Sequence, residues 1–337
     1  GGQTVCLAQR QRRLTVVLLA QRTCQVIFCP SHIYLLHYRV NKAEFQLKAT
    51  SLFKNAVFLV LALGVPGLHA EESSTVVPYA MSFEEPFNVR AKGYDYDHEV
   101  LISLPASYHT SPDKSYPVLW SMDGALNFAM TAGVVNVYVA GMRLPEMIVV
   151  GVGHPSEEGR AGFARRSIDF FPRGSIIGDP GPAEDYMKNT LGADSAALDP
   201  TLKGDKFLDF LINQLRPALA EEYRMSDDHT LWGHSAGGAF TGYALFAQPG
   251  GFNRYIIGSG TNGLSLELED EYAKAHDDLD AKVFLGAGDL EANNAGLSSF
   301  RFVSRTVILG ETLRLRGYPS LSLQVKLYTD RDHFNVM

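Results

Sequence analysis

The sequence predicts an α/β protein: a mostly parallel central sheet with helices on both faces, forming a three-layer sandwich. Three observations carry that expectation. From about residue 84 onward, short apolar runs of strand length alternate with stretches whose apolar residues recur at spacings of three and four. Several of the runs are apolar throughout, as strands buried on both faces are. The order strand, helix, strand also demands crossover connections, which are right-handed and leave neighbouring strands parallel.

The elements follow in order. His98–Leu104 alternates and stops at Pro105, as a strand leaving a sheet does. Pro117–Ser121 is a continuous apolar run followed by the turn Met122-Asp123-Gly124. Met147–Val152 repeats that pattern after Pro145. Asp205–Tyr223 places Phe207, Phe210, Leu211, Leu215 and Leu219 on one helical face, and Pro217 predicts a kink. His229–Trp232 is a strand running directly into a glycine-rich turn, and Ala239–Ala247 has helical composition. Arg254–Ile257 and Lys282–Leu285 are further short strands, separated by an acidic helix within residues 266–280. A helix over Arg301–Arg316 and an alternating strand over Leu321–Tyr328 complete the series. No internal repeat or low-complexity linker interrupts residues 71–337, so a single domain is expected there.

Composition narrows the function classes. The chain has 337 residues, 46% hydrophobic and 20% charged, with a formal net charge of -7. That balance suits a soluble globular protein and supplies no basic stripe for nucleic acid. Cys6, Cys24 and Cys29 all precede Ala70, so the body has neither disulfides nor a cysteine metal site. Residues 1–48 show no helical or strand period, and the first methionine is Met81. They read as translated upstream sequence or an unstructured extension. Residues 49–70, with Lys48 just ahead, have the three-part layout of a secretory signal peptide: basic Lys48 and Lys54, apolar Ala56–Val65, and the cleavage site Leu68-His69-Ala70. The apolar run is too short to span a bilayer, which takes ~20 residues, so no stable membrane insertion is expected after cleavage. The mature chain would begin at Glu71 in the periplasm or outside the cell. The chain stops four residues after His333, which suggests a fragment. The sequence assigns no oligomeric state.

The chemistry centres on Gly233-His234-Ser235-Ala236-Gly237. A strand enters, small residues follow and a helix begins at once, which is the layout of a nucleophile elbow. Glycines flanking the serine let neighbouring backbone approach, and the helix start aims free N–H groups at developing negative charge. A serine hydroxyl needs an imidazole within reach to become a nucleophile. Two histidines follow Ser235. His276 lies in the acidic helix and reads as a solvated-face residue. His333, just past the last strand, lies at the sheet's carboxyl edge where such sites form, and is taken as the base. The acid is expected in the loop after Lys282–Leu285, where both Asp289 and Glu291 qualify. The oxyanion donors are expected to be the N–H groups of Ala236 and of Ala125, the latter in the Asp123-Gly124 turn. Gly151-Val152-Gly153-His154-Pro155-Ser156 imitates a dinucleotide fingerprint, but it lacks the third glycine. Arg165 and Arg166 could present cations to a substrate, although a solvated loop is the commoner reason for such a pair.

These segments resemble the putative-esterase branch of the α/β-hydrolases, which includes esterase D-like enzymes and enterobactin-type siderophore esterases. YPVLWSMDGALNF, EMIVVGVGHP, RRSIDFFP, TLWGHSAGGAF, GAGDLE and DRDHF carry the resemblance, in order, over nearly all of residues 84–337. It implies the α/β-hydrolase fold and a serine esterase that acts on a small-molecule ester through an acyl-enzyme, with no metal or organic cofactor. Relatives carry a Gly-Glu-x-Glu-like segment at Gly288-Asp289-Leu290-Glu291, which makes Glu291 the implied acid. GSGTNGLS replaces the usual Ser-Pro-Ser-Leu-Trp-Trp, so an aromatic wall of the pocket is expected to be missing. That counts against a siderophore-specific site. The rival readings are acyl transfer to an alcohol on the same triad, and a non-catalytic binding protein on a hydrolase fold.

Overall fold

The structure, a computed structural model, describes residues 80–173, 201–294 and 296–336, together with the backbone of two strands nearer the N-terminus. The chain divides into two compact units, Gly1–Ser74 and Thr75–Met337. In the first, Gln25–Cys29 and His32–Leu36 pair antiparallel, with Gln25 opposite Leu36. This pair falls within residues 1–48, where the sequence shows no strand period. The expected signal segment 49–70 and its cleavage site lie outside the described residues.

Among the described residues of the second unit, nine strands form one sheet. They are β1 (Ser82–Phe83), β2 (Phe87–Val89), β3 (His98–Leu104), β4 (Tyr116–Met122) and β5 (Ile148–Gly153). β6 (Met225–His234), β7 (Arg254–Gly258), β8 (Lys282–Gly288) and β9 (Ser322–Tyr328) follow. The spatial order is β9-β8-β7-β6-β4-β5-β3-β1, with β2 also paired to β3. Neighbours from β9 through β5 are parallel, while β3 runs antiparallel to β5, β1 and β2. Helices α1 (Gly124–Ala140), α2 (Gly159–Phe170), α3 (residues 204–222), α4 (Ala236–Ala247), α5 (Gly263–Ala273) and α6 (Phe302–Arg316) connect them.

The period of two along each strand divides the core. On β4, Val118, Trp120 and Met122 enter the large cluster with Phe207, Phe210 and Phe240. Leu119 turns to the opposite face and packs with Val149 of β5 and with Phe128 and Val135 of α1. Each large side chain so buried contributes roughly 1.5–3 kcal/mol relative to exposure. β4 and β6 lie at the centre of the sheet, so the carboxyl end of β6 is held by packing on both faces.

One expectation is refined and one needs correction. Pro217 lies two residues past an irregular turn of α3. The helix takes a π-helical turn over Phe210–Leu215 immediately before Arg216–Glu222. Proline lacks the N–H that would bond Asn213 and its ring crowds that carbonyl, so the wider turn relieves the conflict. Arg165 and Arg166 are not in a loop, because both belong to α2. That helix opens on glycine and its N-cap residue, Glu158, makes no side-chain cap bond, so it lacks the usual start signal.

Candidate active site

β6 ends at His234, and the chain turns at Ser235 into α4. Ser235 has φ 58° and ψ -123°, a conformation costly for any residue with a Cβ. The turn is closely packed: a Cβ on Gly233 would lie 2.1 Å from the Gly237 carbonyl oxygen, so only glycine fits. The Ser235 N–H donates to the Gly258 carbonyl at 2.9 Å, which ties the strained residue to the neighbouring β7. Ala236 is the first residue of α4, and its N–H is one of the four a helix start leaves without an intrahelical acceptor.

The other two residues arrive from β8 and β9. After Gly288 a short 3₁₀ turn, Asp289–Asn293, folds the Glu291 side chain back beneath the sheet edge, where it is 2% exposed. Its Oε1 accepts from the Ser259 hydroxyl at 2.6 Å and the Gly288 N–H at 2.7 Å. Its Oε2 lies 2.9 Å from His333 Nδ1. The loop carrying His333 hangs on the same turn. The Leu290 N–H donates to the Arg331 carbonyl at 3.0 Å, and a Cβ on Gly288 would lie 2.3 Å from that oxygen. Phe302, at the start of α6, stacks on the His333 ring at 5.3 Å and 15°. His333 Nε2 then stands 2.9 Å from Ser235 Oγ.

Protonation follows from these contacts. Burial pushes the Glu291 carboxyl up. The bonds from His333, Ser259 and the Gly288 N–H outweigh it, and the group ends below the usual carboxylate range. An ionised Glu291 only accepts, so Nδ1–H of His333 donates to it and Nε2 is left to accept from the Ser235 hydroxyl. His234 packs on His333 with ring centroids 4.6 Å apart. Burial, followed by the neighbouring His333, pushes His234 down to about 3. It therefore stays neutral and does not oppose a positive charge on His333.

The structure thus brings Ser235, His333 and Glu291 together. Asp289, the other carboxylate of that loop, is not bonded to the imidazole, and its buried Oδ1 has no partner. His276 lies past the end of α5, stacked on Tyr272 at 4.0 Å with its Nδ1 2.9 Å from the Tyr272 carbonyl. In the segment Gly258–Ser265, Ser259 holds Glu291 and Asn262 caps α5 by accepting from the Ser265 N–H. Ala125 is the second residue of α1 and lines a cavity of about 220 Å³ together with Asp123, Leu126, His154, Pro155 and Arg166.

Sequence reasoning missed the layer behind that cavity. Asp169, 1% exposed, accepts from the Tyr96 hydroxyl at 2.6 Å and contacts Nε2 of His98 and of His154 at 3.0 and 3.1 Å. Arg166 was noted, but not its partner. It grips both oxygens of Asp123, with Nε to Oδ1 at 2.6 Å and Nη2 to Oδ2 at 2.7 Å.

The family model described as "Putative esterase" matches residues 92–294, more than half of the chain. The chain belongs to this esterase family. It is accordingly a carboxylic ester hydrolase. The ferri-bacillibactin esterase BesA of Bacillus subtilis (strain 168) is 22% identical over 210 residues, which cover 58% of this chain and 67% of that one. Among solved structures, an IroE-like serine hydrolase from Shewanella oneidensis matches with TM-score 0.61 and 20% identity over 76% of each chain. The siderophore hydrolase EstA from Aspergillus nidulans matches with TM-score 0.62 and 21% identity, over 76% of this chain and 90% of its own. At these identities the two structures show that this esterase has the α/β-hydrolase fold. Among the described residues of the esterase, no helix is long and apolar enough to cross a membrane.

Proposed function

We propose that this esterase cleaves its ester through an acyl-enzyme formed on Ser235. The supporting observation is the unbroken line of hydrogen bonds from Ser235 Oγ through His333 to Glu291, 2.9 Å at each imidazole nitrogen. His333 Nε2 takes the serine proton as Oγ attacks the ester carbonyl, and Glu291 stabilises the imidazolium that forms. The N–H groups of Ala236 and Ala125 bind the oxyanion, each worth about 10²–10³-fold in rate. The tetrahedral intermediate collapses as His333 returns the proton to the departing alcohol. Water then repeats the sequence on the acyl-serine, with His333 again as base. No step requires a metal or an organic cofactor.

The substrate is a small acyl ester, and the names of the similar proteins, which include siderophore esterases and hydrolases, put siderophore esters first in the panel to be tried. Residues 49–70 act as a signal peptide that delivers Glu71–Met337, a single domain, to the periplasm or outside. N-terminal sequencing of exported protein should then read from Glu71, and recovery of Gly1 would contradict it. For the chemistry, a fluorophosphonate probe should label the wild-type protein on Ser235 and leave Ser235→Ala unlabelled. Undiminished labelling of Ser235→Ala, or its retained ester hydrolysis, would defeat the reading.

A further inference from the structure

The start of α1 has an unusual cap. Its N-cap residue is Asp123, and an aspartate there ordinarily turns its carboxylate onto the N–H of the second or third helical residue. In α1 those residues are Ala125 and Leu126. The Leu126 N–H is already bonded to the Asp123 carbonyl at 2.9 Å, so the default target for the carboxylate is Ala125. Yet Asp123 makes no side-chain cap bond. Its backbone is left-handed, φ 57° and ψ 53°, and both its oxygens are held by Arg166, reaching across from α2. A guanidinium fork matches a carboxylate in this two-bond geometry and so fixes its direction as well as its distance. The pair is well buried, with side-chain exposures of 13% for Arg166 and 5% for Asp123.

We propose that Arg166 is a positioning residue: it draws the Asp123 carboxylate away from the Ala125 N–H and so keeps an oxyanion donor open. This rests on the reading of Ala125 as that donor. The same pair reaches the second donor's helix. A Cβ on Gly237, the residue after Ala236, would lie 3.2 Å from Asp123 Oδ2 and 3.1 Å from Met122 Cβ. The carboxylate therefore stands between the first turns of α1 and α4, where negative charge develops during acyl transfer. Arg166 both aims it and neutralises it. Without Arg166, the carboxylate is released towards the ordinary N-cap target, the Ala125 N–H, and capping it would close the site with an anion. The cationic residue that looked suited to binding substrate thus acts on the protein's own acid.

The test compares Arg166→Met with Asp123→Gly/Arg166→Met. Glycine removes the carboxylate and tolerates the left-handed backbone at that position. Arg166→Met should lower kcat by about 10²-fold, the loss of one oxyanion donor, with KM little changed. The double variant should recover most of that loss, because nothing remains to cap Ala125. A raised KM with unchanged kcat in Arg166→Met would make Arg166 a substrate contact and overturn the proposal. So would a double variant no faster than the single one. Should Arg166→Met not fold, Arg166→Lys keeps the charge without the fork, and the same comparison with Asp123→Gly/Arg166→Lys decides. Ser235→Ala in the same assay separates the failures. If it is inactive while Arg166→Met is normal, only the positioning role falls. If it is active, the acyl-enzyme reading itself falls.

Discussion

Two buried carboxylates in this esterase hold imidazole rings, and they differ in what stands on the far side of the ring. Glu291 is 2% exposed, bonded to one histidine, and that histidine reaches a serine hydroxyl at 2.9 Å. Asp169 is 1% exposed and bonded to His98, His154 and Tyr96. In both, burial pushes the carboxyl up while histidine hydrogen bonds bring it below the usual range. For Asp169 no nucleophile completes the line: Nδ1 of His98 and of His154 are both buried without a partner. A perturbed carboxylate beside a histidine is therefore a poor indicator of function on its own. In the proposed mechanism, the strained serine at the end of β6 marks one pair for chemistry. The other joins β3, the segment after β5 and α2 behind the cavity.

That contrast predicts separate phenotypes. Glu291→Gln should lower kcat by about 10⁴-fold, the scale seen when the orienting carboxylate of such a triad becomes an amide. Asp289→Asn should cost far less. The reverse ranking, read from steady-state kinetics on one ester, would transfer the orienting role to Asp289. Asp169→Ala should act on stability instead, costing roughly 1–3 kcal/mol or more, because it leaves the imidazoles of His98 and His154 and the part-buried Tyr96 hydroxyl without their acceptor. Urea denaturation measures this, and an unchanged midpoint would show that the cluster holds nothing together.

His229 supplies the smaller, third case, an imidazole buried without a carboxylate. Its Nδ1 accepts from Trp120 Nε1–H at 3.1 Å, and burial, with Arg216 adding to it, pushes its pKa from the ordinary 6.5 down to about 4. On acidification the unfolded chain takes up this proton before the folded one does. The associated stability is full above pH 6.5 and is lost as the pH falls towards 4. His229→Gln, which keeps an acceptor for Trp120, should flatten the dependence of Tm on pH in that window. An unaltered slope would assign the acid sensitivity elsewhere, with His234 the next choice.

The legible and illegible parts of this molecule divide on sequence distance. Ser235 and His333 could be found because each is fixed by a local pattern, a strand-to-helix turn with glycines and a histidine past the last strand. The sheet was legible for the same reason, since β4 and β5 are apolar runs bounded by turns. Asp289 and Glu291 lie one and three residues past the end of β8, and the residues alone left them open. The resemblance implied Glu291, and in the structure the 3₁₀ turn, which brings Glu291 Oε1 to the Gly288 N–H at 2.7 Å, separates the two. The Asp169 cluster joins residues 71 positions apart, and Arg166 meets Asp123 across 43. No local spacing encodes such pairs. β1 and β2, two and three residues long, are too short to leave an alternating pattern.

The central claim is that Ser235 and His333 act in one step, and the most direct measurement is kcat for Ser235→Ala, His333→Ala and the double variant. Each single change should remove activity on the order of 10⁶-fold, and the double should be scarcely worse than either, because the second loss finds nothing left to disable. Losses that multiply would mean that the serine and the histidine serve different steps, and the account of the site would be wrong.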